Sequence, residues 1–250
     1  MESTSLRSLA AALAAMLAAP SAQAAELMVA AAVSLRNPLG EIARAYETEH
    51  PGTALRIAFG ASSLLAAQLR AGAPIDVFVS ADEAIVARLD EAGLLEADER
   101  FTLARNRLVV VARRDAGFDL EHAGQLGGPG VRRLAIPDAA VPVGRYAREW
   151  LAGLGLLATL EPRIVRTEHA RATLAAVDLG HADAAVVYAT DARLARSARV
   201  AFEVPTDEQP RIAYAAARVR GAPAGAAEFL AFLRGPAARA ALSAAGFAAP

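Results

Sequence analysis

Residues 27–52 read LMVAAAVSLRNPLGEIARAYETEHPG. The first seven are apolar and uncharged, the length and composition of a buried strand. Ser34 follows at once. Pro38 then opens an amphipathic stretch that runs to Glu49, with proline in the first turn, where its missing N–H costs nothing. Pro51-Gly52 stops it. The unit is strand, serine, helix, and it recurs. Residues 55–59 predict a strand, followed by Ser62-Ser63 and a helix over 63–71. Residues 75–79 predict a third strand, after which Asp82 opens a helix ending at Gly93. Apolar runs alternating with amphipathic stretches predict an α/β fold, with a parallel or mixed sheet flanked by helices.

The pattern continues downstream. Strands are expected over 108–112, 134–136, 184–188 and 212–219. Helices are expected over 146–154, 170–179, 224–234 and 237–245, with a short one opened by Asp191. Asn106 stands before the 108–112 strand as a candidate crossover point. Residues 117–130 carry the loop composition, with Gly127, Gly128, Pro129 and Gly130 clustered. No internal repeat and no long linker interrupt the chain.

The first 24 residues read as an export signal. Arg7 supplies a thin positive start, residues 9–19 are apolar throughout, and Pro20 precedes the small-residue pattern Ala22-Gln23-Ala24. About eleven apolar residues are too few for the ~20 that span a bilayer. The expectation is cleavage near Ala25 and a mature protein in the periplasm.

Two absences narrow the chemistry. The 250 residues contain no cysteine, which removes thiol nucleophiles, thiolate metal sites and disulfides. All 26 basic residues are arginine, so Schiff-base lysines and the lysine of a phosphate-binding P-loop are excluded. Formal net charge is −1, with arginines scattered among acids, which argues against a nucleic-acid partner. The four histidines show no i, i+4 pairing, so no metal site or other cofactor is expected. Gly60-Ala61-Ser62-Ser63-Leu64 is not the Gly-x-Ser-x-Gly elbow of a serine hydrolase, the enzymatic alternative.

The serines carry the positive signal. Ser34 and Ser62 both lie between a strand and a helix. In open α/β folds that edge binds ligands, because helix N-termini present free N–H groups there. Such groups, with the helix dipole, hold an anion without a cationic side chain. The commonest job of serine at such a junction is to cap its helix, and taken alone that reading is favoured. The two roles can coexist.

Several blocks carry a resemblance. Ala30-Ala31-Ala32-Val33-Ser34-Leu35, Phe59-Gly60-Ala61-Ser62-Ser63 and Gly72-Ala73-Pro74-Ile75-Asp76-Val77-Phe78-Val79-Ser80-Ala81-Asp82 resemble, in order, motifs of the periplasmic molybdate-binding receptors of ABC importers. So do Val141-Pro142-Val143-Gly144-Arg145-Tyr146-Ala147 and Val186-Val187-Tyr188 with Asp191. The resemblance runs from about Leu27 to Phe247. It implies a two-lobed periplasmic binding protein fold, each lobe a mixed sheet flanked by helices, with ligand in the cleft between. Lobe 1 is expected over 25–105 and 208–250, and lobe 2 over 106–207. The implied oxyanion contacts are Ser34 and Ser62 from lobe 1, the backbone N–H groups of Val143 and Ala170, and the Tyr188 hydroxyl. The implied ligand is molybdate or tungstate, with sulfate or another small oxyanion as the alternative. The implied partner is the membrane permease of an ABC importer, met by a monomeric, non-enzymatic receptor. His169 stands where aspartate is common in the family, and a surface role is the expected one.

Overall fold

The computed structural model describes residues 25–250, so the export signal read in residues 1–24 lies outside the described residues. The strands are β1 (Ala25–Ala32), β2 (Thr53–Gly60), β3 (Val77–Ser80), β4 (Leu95–Asn106), β5 (Leu108–Arg113), β6 (Leu134–Pro137), β7 (Ile164–Thr167), β8 (Ala184–Tyr188), β9 (Ala198–Glu203) and β10 (Ile212–Val219). The helices are α1 (Arg36–Glu49), α2 (Ser62–Arg70), α3 (Glu83–Glu91), α4 (Pro142–Gly153), α5 (Leu157–Leu160), α6 (Ala170–Asp178), α7 (Ala189–Ala192), α8 (Ala224–Leu233) and α9 (Pro236–Ala244). Among the described residues, no helix is long and apolar enough to cross a membrane.

The strands form two five-stranded sheets, ordered β2-β1-β3-β10-β4 and β7-β6-β8-β5-β9. Each sheet joins a parallel trio to an antiparallel pair. In the first, β1 runs parallel to β2 and β3, while β10 is antiparallel to β3 and β4. In the second, β6 runs parallel to β7 and β8, while β5 is antiparallel to β8 and β9. The expected α/β, two-lobed architecture is therefore present. The chain passes between the sheets at Arg107, linking β4 to β5, and again over residues 204–211, linking β9 to β10.

Alanine dominates the centre of the first sheet: Ala30 and Ala31 of β1 and Ala216 and Ala217 of β10 are fully buried. Short side chains there leave room for large ones on the covering helices. Tyr46 of α1 is the main example. Fully buried, it stacks on His50 with centroids 4.1 Å apart and meets Phe229 and Phe232 of α8 edge-on at 5.0 and 5.3 Å.

Three strands lack a clear signal in the sequence. β4 contains Glu96, Asp98, Glu99 and Arg100, which break any apolar run; it is an edge strand with one solvated face, β10 is its one neighbouring strand, and Arg105 adds a single bridge to Ala248. Its register breaks opposite Ala217 to Val219, near Asp98, whose φ of 62° is tolerated best by short polar side chains and glycine. β7 and β9 are the short edges of the second sheet. A strand with one neighbour need not be continuously apolar, so periodicity alone does not show it.

Replacing Tyr46 with alanine should destabilise the first lobe by about 3–5 kcal/mol, because it empties an aromatic cluster that cannot collapse. Denaturant unfolding of the purified protein measures this.

Candidate functional site

All six parallel strands point their carboxyl ends toward the gap between the sheets. β1 leads into a 3₁₀ turn, Val33–Leu35, that carries Ser34; β2 leads to Ser62; β3 leads to Ser80, Ala81 and Asp82. From the other lobe, β6 leads to the first turn of α4 with Val143, β7 leads to His169 and Ala170, and β8 ends on Tyr188. Ser34, Ser62, Val143, Ala170 and Tyr188 all line one small pocket, with a cavity volume of about 10 Å³. That is room for about one water-sized group, far below the roughly 300–1,000 Å³ usual for drug-sized organic ligands. Neither an arginine nor a carboxylate lines it; its one titratable neighbour besides Tyr188 is His169.

The hydroxyls have defined partners. Ser62 is the first residue of α2, and its Oγ accepts the N–H of Ala81 at 3.0 Å. Ser34 Oγ lies 2.8 Å from the Tyr214 hydroxyl. Neither serine caps its helix: the N-cap positions are Leu35 and Ala61, without side-chain bonds. The capping reading favoured by the sequence is thus corrected, because both hydroxyls are taken by distant groups. Tyr188 is 1% exposed, and its hydroxyl has no hydrogen-bond partner among the described residues. Burial pushes its pKa well above the ordinary tyrosine range, with Tyr214, Tyr146, Asp191 and Asp82 adding to the shift. It therefore remains a donor across the physiological range.

The backbone groups sit at helix starts. Val143 and Ala170 lie in the first turns of α4 and α6, where an N–H has no carbonyl of its own helix to reach. Pro142 starts α4 four residues earlier than the sequence suggests. Gly144 lets that turn seat on the end of β6. A Cβ there would lie 2.2 Å from the Asp138 carbonyl oxygen and 2.6 Å from that of Pro137. His169 is not the surface residue expected. It is half-buried at the N-cap of α6, and its Nδ1 accepts the Ala172 N–H at 3.1 Å.

Charge is kept to the margins. Asp82, whose side chain is 4% exposed, caps α3 by accepting the Ala84 N–H at 2.9 Å. Across the gap, Arg145 Nε and Nη2 reach Asp82 Oδ2 at 3.1 and 3.0 Å, and the Tyr146 hydroxyl reaches Oδ1 at 3.4 Å. The two lobes are thus bridged beside the pocket. Within lobe 2, Arg171 of α6 lies 2.6 Å from the fully buried Asp191 of α7, an ion pair whose Nε–H is not aligned on the carboxylate. Burial raises the Asp191 pKa to about 6, and Arg171 only partly opposes the shift. Among the described residues, no group of three or more His, Asp or Glu side chains could hold a metal ion.

A family model described as bacterial extracellular solute-binding protein matches residues 27–248. The chain belongs to that family. It is similar to the molybdate-binding protein ModA of Haemophilus influenzae, 31% identical over 233 residues that cover 91% of this chain and 92% of that one. The Escherichia coli K12 protein of the same name is 34% identical over 84% of each chain. Among solved structures, the Azotobacter vinelandii periplasmic molybdate-binding protein superimposes with a TM-score of 0.80 at 29% identity, covering 90% of this chain and 99% of that chain.

Around this solute-binding protein's pocket, the sequence reading missed Arg145 and Tyr146 as bridges to Asp82, and Tyr214 and Asn106 behind Ser34. Only their proximity in space joins them, and no local spacing signals it.

Asp191 makes stability depend on pH. Its carboxyl titrates near 3.8 when unfolded and at about 6 when folded, so the folded state holds the extra proton between those values. The stability it contributes is full below about pH 4 and is lost as pH rises through about 6, a change on the order of 1–3 kcal/mol. Asp191→Asn should flatten the curve of unfolding free energy against pH in that window, as seen by urea titration.

Proposed function

We propose that this solute-binding protein is a periplasmic receptor that captures molybdate in the pocket between its lobes and delivers it to the membrane permease of an ABC importer. One observation carries the reading. Three hydroxyls and two helix-start N–H groups, all neutral, line one small pocket, and one of those hydroxyls, that of Tyr188, is buried with no acceptor among the described residues. A buried donor without an acceptor is costly unless a ligand supplies one. A tetrahedral dianion supplies four acceptor oxygens and has no proton to give.

The magnitudes suffice without a cation. Each hydrogen bond to an ion contributes roughly 1.5–3 kcal/mol. The five here total roughly 8–15 kcal/mol, which after desolvation and ordering still reaches the micromolar range. Binding rather than turnover is further supported by His169. Its Nδ1 accepts from a backbone N–H, whereas the histidine of a hydrolytic triad donates that position to a carboxylate. Tungstate, with the same charge and shape, is a second cargo of the same pocket. The apolar, alanine-terminated leader over residues 1–24 supports export to the periplasm. The lobes are taken to move as units, 25–105 with 208–250 against 106–207, and the receptor to work as a monomer.

Calorimetric titration with molybdate, tungstate, sulfate and hydrogen phosphate tests the reading. Molybdate and tungstate should bind at micromolar or better; tightest binding of sulfate would reassign the cargo, and no binding at all would remove the function. Ser34→Ala, Ser62→Ala and Tyr188→Phe should each weaken molybdate binding by about 1–3 kcal/mol, one donor to a charged ligand apiece. Unchanged affinity in all three would dismiss this donor set. Arg145→Gln removes a half-exposed interlobe ion pair and should weaken binding by roughly three- to tenfold, mostly through faster dissociation.

A further inference from the structure

Behind Ser34 lies a chain of buried polar groups that the binding function does not itself require. Asn106, at the end of β4 where the chain crosses between lobes, is 8% exposed. Its Oδ1 accepts the backbone N–H of Arg107 at 2.9 Å. Only the oxygen end of the amide can satisfy that donor, so the Nδ2 end faces the other way. There it donates to Thr190 Oγ1 at 2.9 Å and to the Tyr214 hydroxyl at 3.4 Å. Tyr214 is fully buried, and its oxygen lies 2.8 Å from Ser34 Oγ.

The direction of this chain follows from its start. Tyr214 oxygen receives a hydrogen from Asn106, so its own proton is free to go to Ser34 Oγ. Were Ser34 to donate instead, the buried Tyr214 proton would have no acceptor, since an N–H stands on its other side. Ser34 Oγ is thus an acceptor toward the protein, and its hydrogen points into the pocket. Ser62 reaches the same state by a shorter route, from the Ala81 N–H.

We propose that Asn106 and Tyr214 are specificity-determining residues. Through the fixed direction of their hydrogen bonds they turn the Ser34 hydrogen toward the ligand, so that the pocket favours fully deprotonated tetrahedral anions over those that carry a proton. Both act through Ser34 and neither lines the pocket. The inference rests on the pocket being an oxyanion site, and it names residues outside that site as the source of its selectivity. An anion such as hydrogen phosphate must donate its proton to some acceptor in the pocket, and a hydroxyl free to rotate would provide one. The relay withdraws that freedom at Ser34.

The test is a ratio of affinities, molybdate over hydrogen phosphate, measured by calorimetry or competition at pH 8. Tyr214→Phe keeps the ring and removes the relay oxygen; Asn106→Ala removes the donor that sets its direction. Each should weaken molybdate binding about tenfold without weakening hydrogen phosphate to match, so that the ratio narrows by about tenfold. In a Ser34→Ala background the same substitutions should leave the ratio where Ser34→Ala alone puts it. Thermal unfolding of each variant shows whether it is folded, and Asn106→Ala serves if Tyr214→Phe is not. A merely structural role would lower both affinities together. If folded variants keep the wild-type ratio, the relay proposal falls while the oxyanion reading stands. If the wild-type protein binds no tetrahedral dianion, both fall.

Discussion

Ser62 Oγ takes the Ala81 N–H, Ser34 Oγ faces the Tyr214 hydroxyl, and the Tyr188 hydroxyl has no hydrogen-bond partner among the described residues. A site of this kind depends on buried hydroxyls whose hydrogens have nowhere else to go. Holding them requires a protein donor behind each serine, so that the oxygen accepts from the protein and the hydrogen is left for the pocket. The Ser80–Asp82 turn behind Ser62 is itself tied: Ser80 Oγ donates to the Asp82 carbonyl at 2.9 Å and accepts the Asp82 N–H at 3.0 Å. The same Asp82 caps α3 and receives Arg145 from the opposite lobe. One short stretch therefore orients a donor, starts a helix and meets the closing lobe.

The topology makes this economical. Two parallel trios, β2-β1-β3 and β7-β6-β8, end toward one gap, and each strand hands its chain to a turn or a helix start there. Backbone N–H groups at helix starts supply positive potential without a side chain, which suits a chain whose only basic side chains besides histidine are bulky guanidiniums. The antiparallel strands β4, β5, β9 and β10 carry the two crossings between the lobes, so that Asn106 and the residues around Glu208 sit at the connections. Trp150 of α4 marks the second crossing, its indole N–H donating to Glu208 at 2.9 Å.

Much of this was legible in residues 27–52 and their echoes. An apolar run followed by serine and an amphipathic helix is a local pattern, and local patterns are what periodicity reports. The parallel strands at the sheet centres are such runs. The edge strands are not: β4 carries four charges between Glu96 and Arg100 because one of its faces meets water. The positions of Ser34, Ser62, Val143, Ala170 and Tyr188 were readable from block resemblance, and the structure brings all five to one pocket. The relay from Asn106 to Ser34 was not readable. Its members lie 72, 108 and 180 residues apart in sequence, and nothing in their neighbours' composition distinguishes them from core asparagine and tyrosine.

Charge placement explains why a neutral pocket can also close. The two buried carboxylates nearest the pocket are each matched by an arginine, Asp82 across the lobes by Arg145 and Asp191 within lobe 2 by Arg171. Each pair is neutral overall, so the potential at the pocket is left to hydroxyl and peptide dipoles. On the proposed site, two donors belong to lobe 1 and three to lobe 2. Neither set alone surrounds a tetrahedral ion. On that proposal an ion would interact more strongly with the lobes together than apart, and only such a difference could shift a population toward closure. Interlobe contacts formed without ligand have to stay weaker than this difference, or the cargo could not leave. A half-exposed Arg145 on Asp82 meets that requirement, since partly exposed pairs contribute only about 1 kcal/mol.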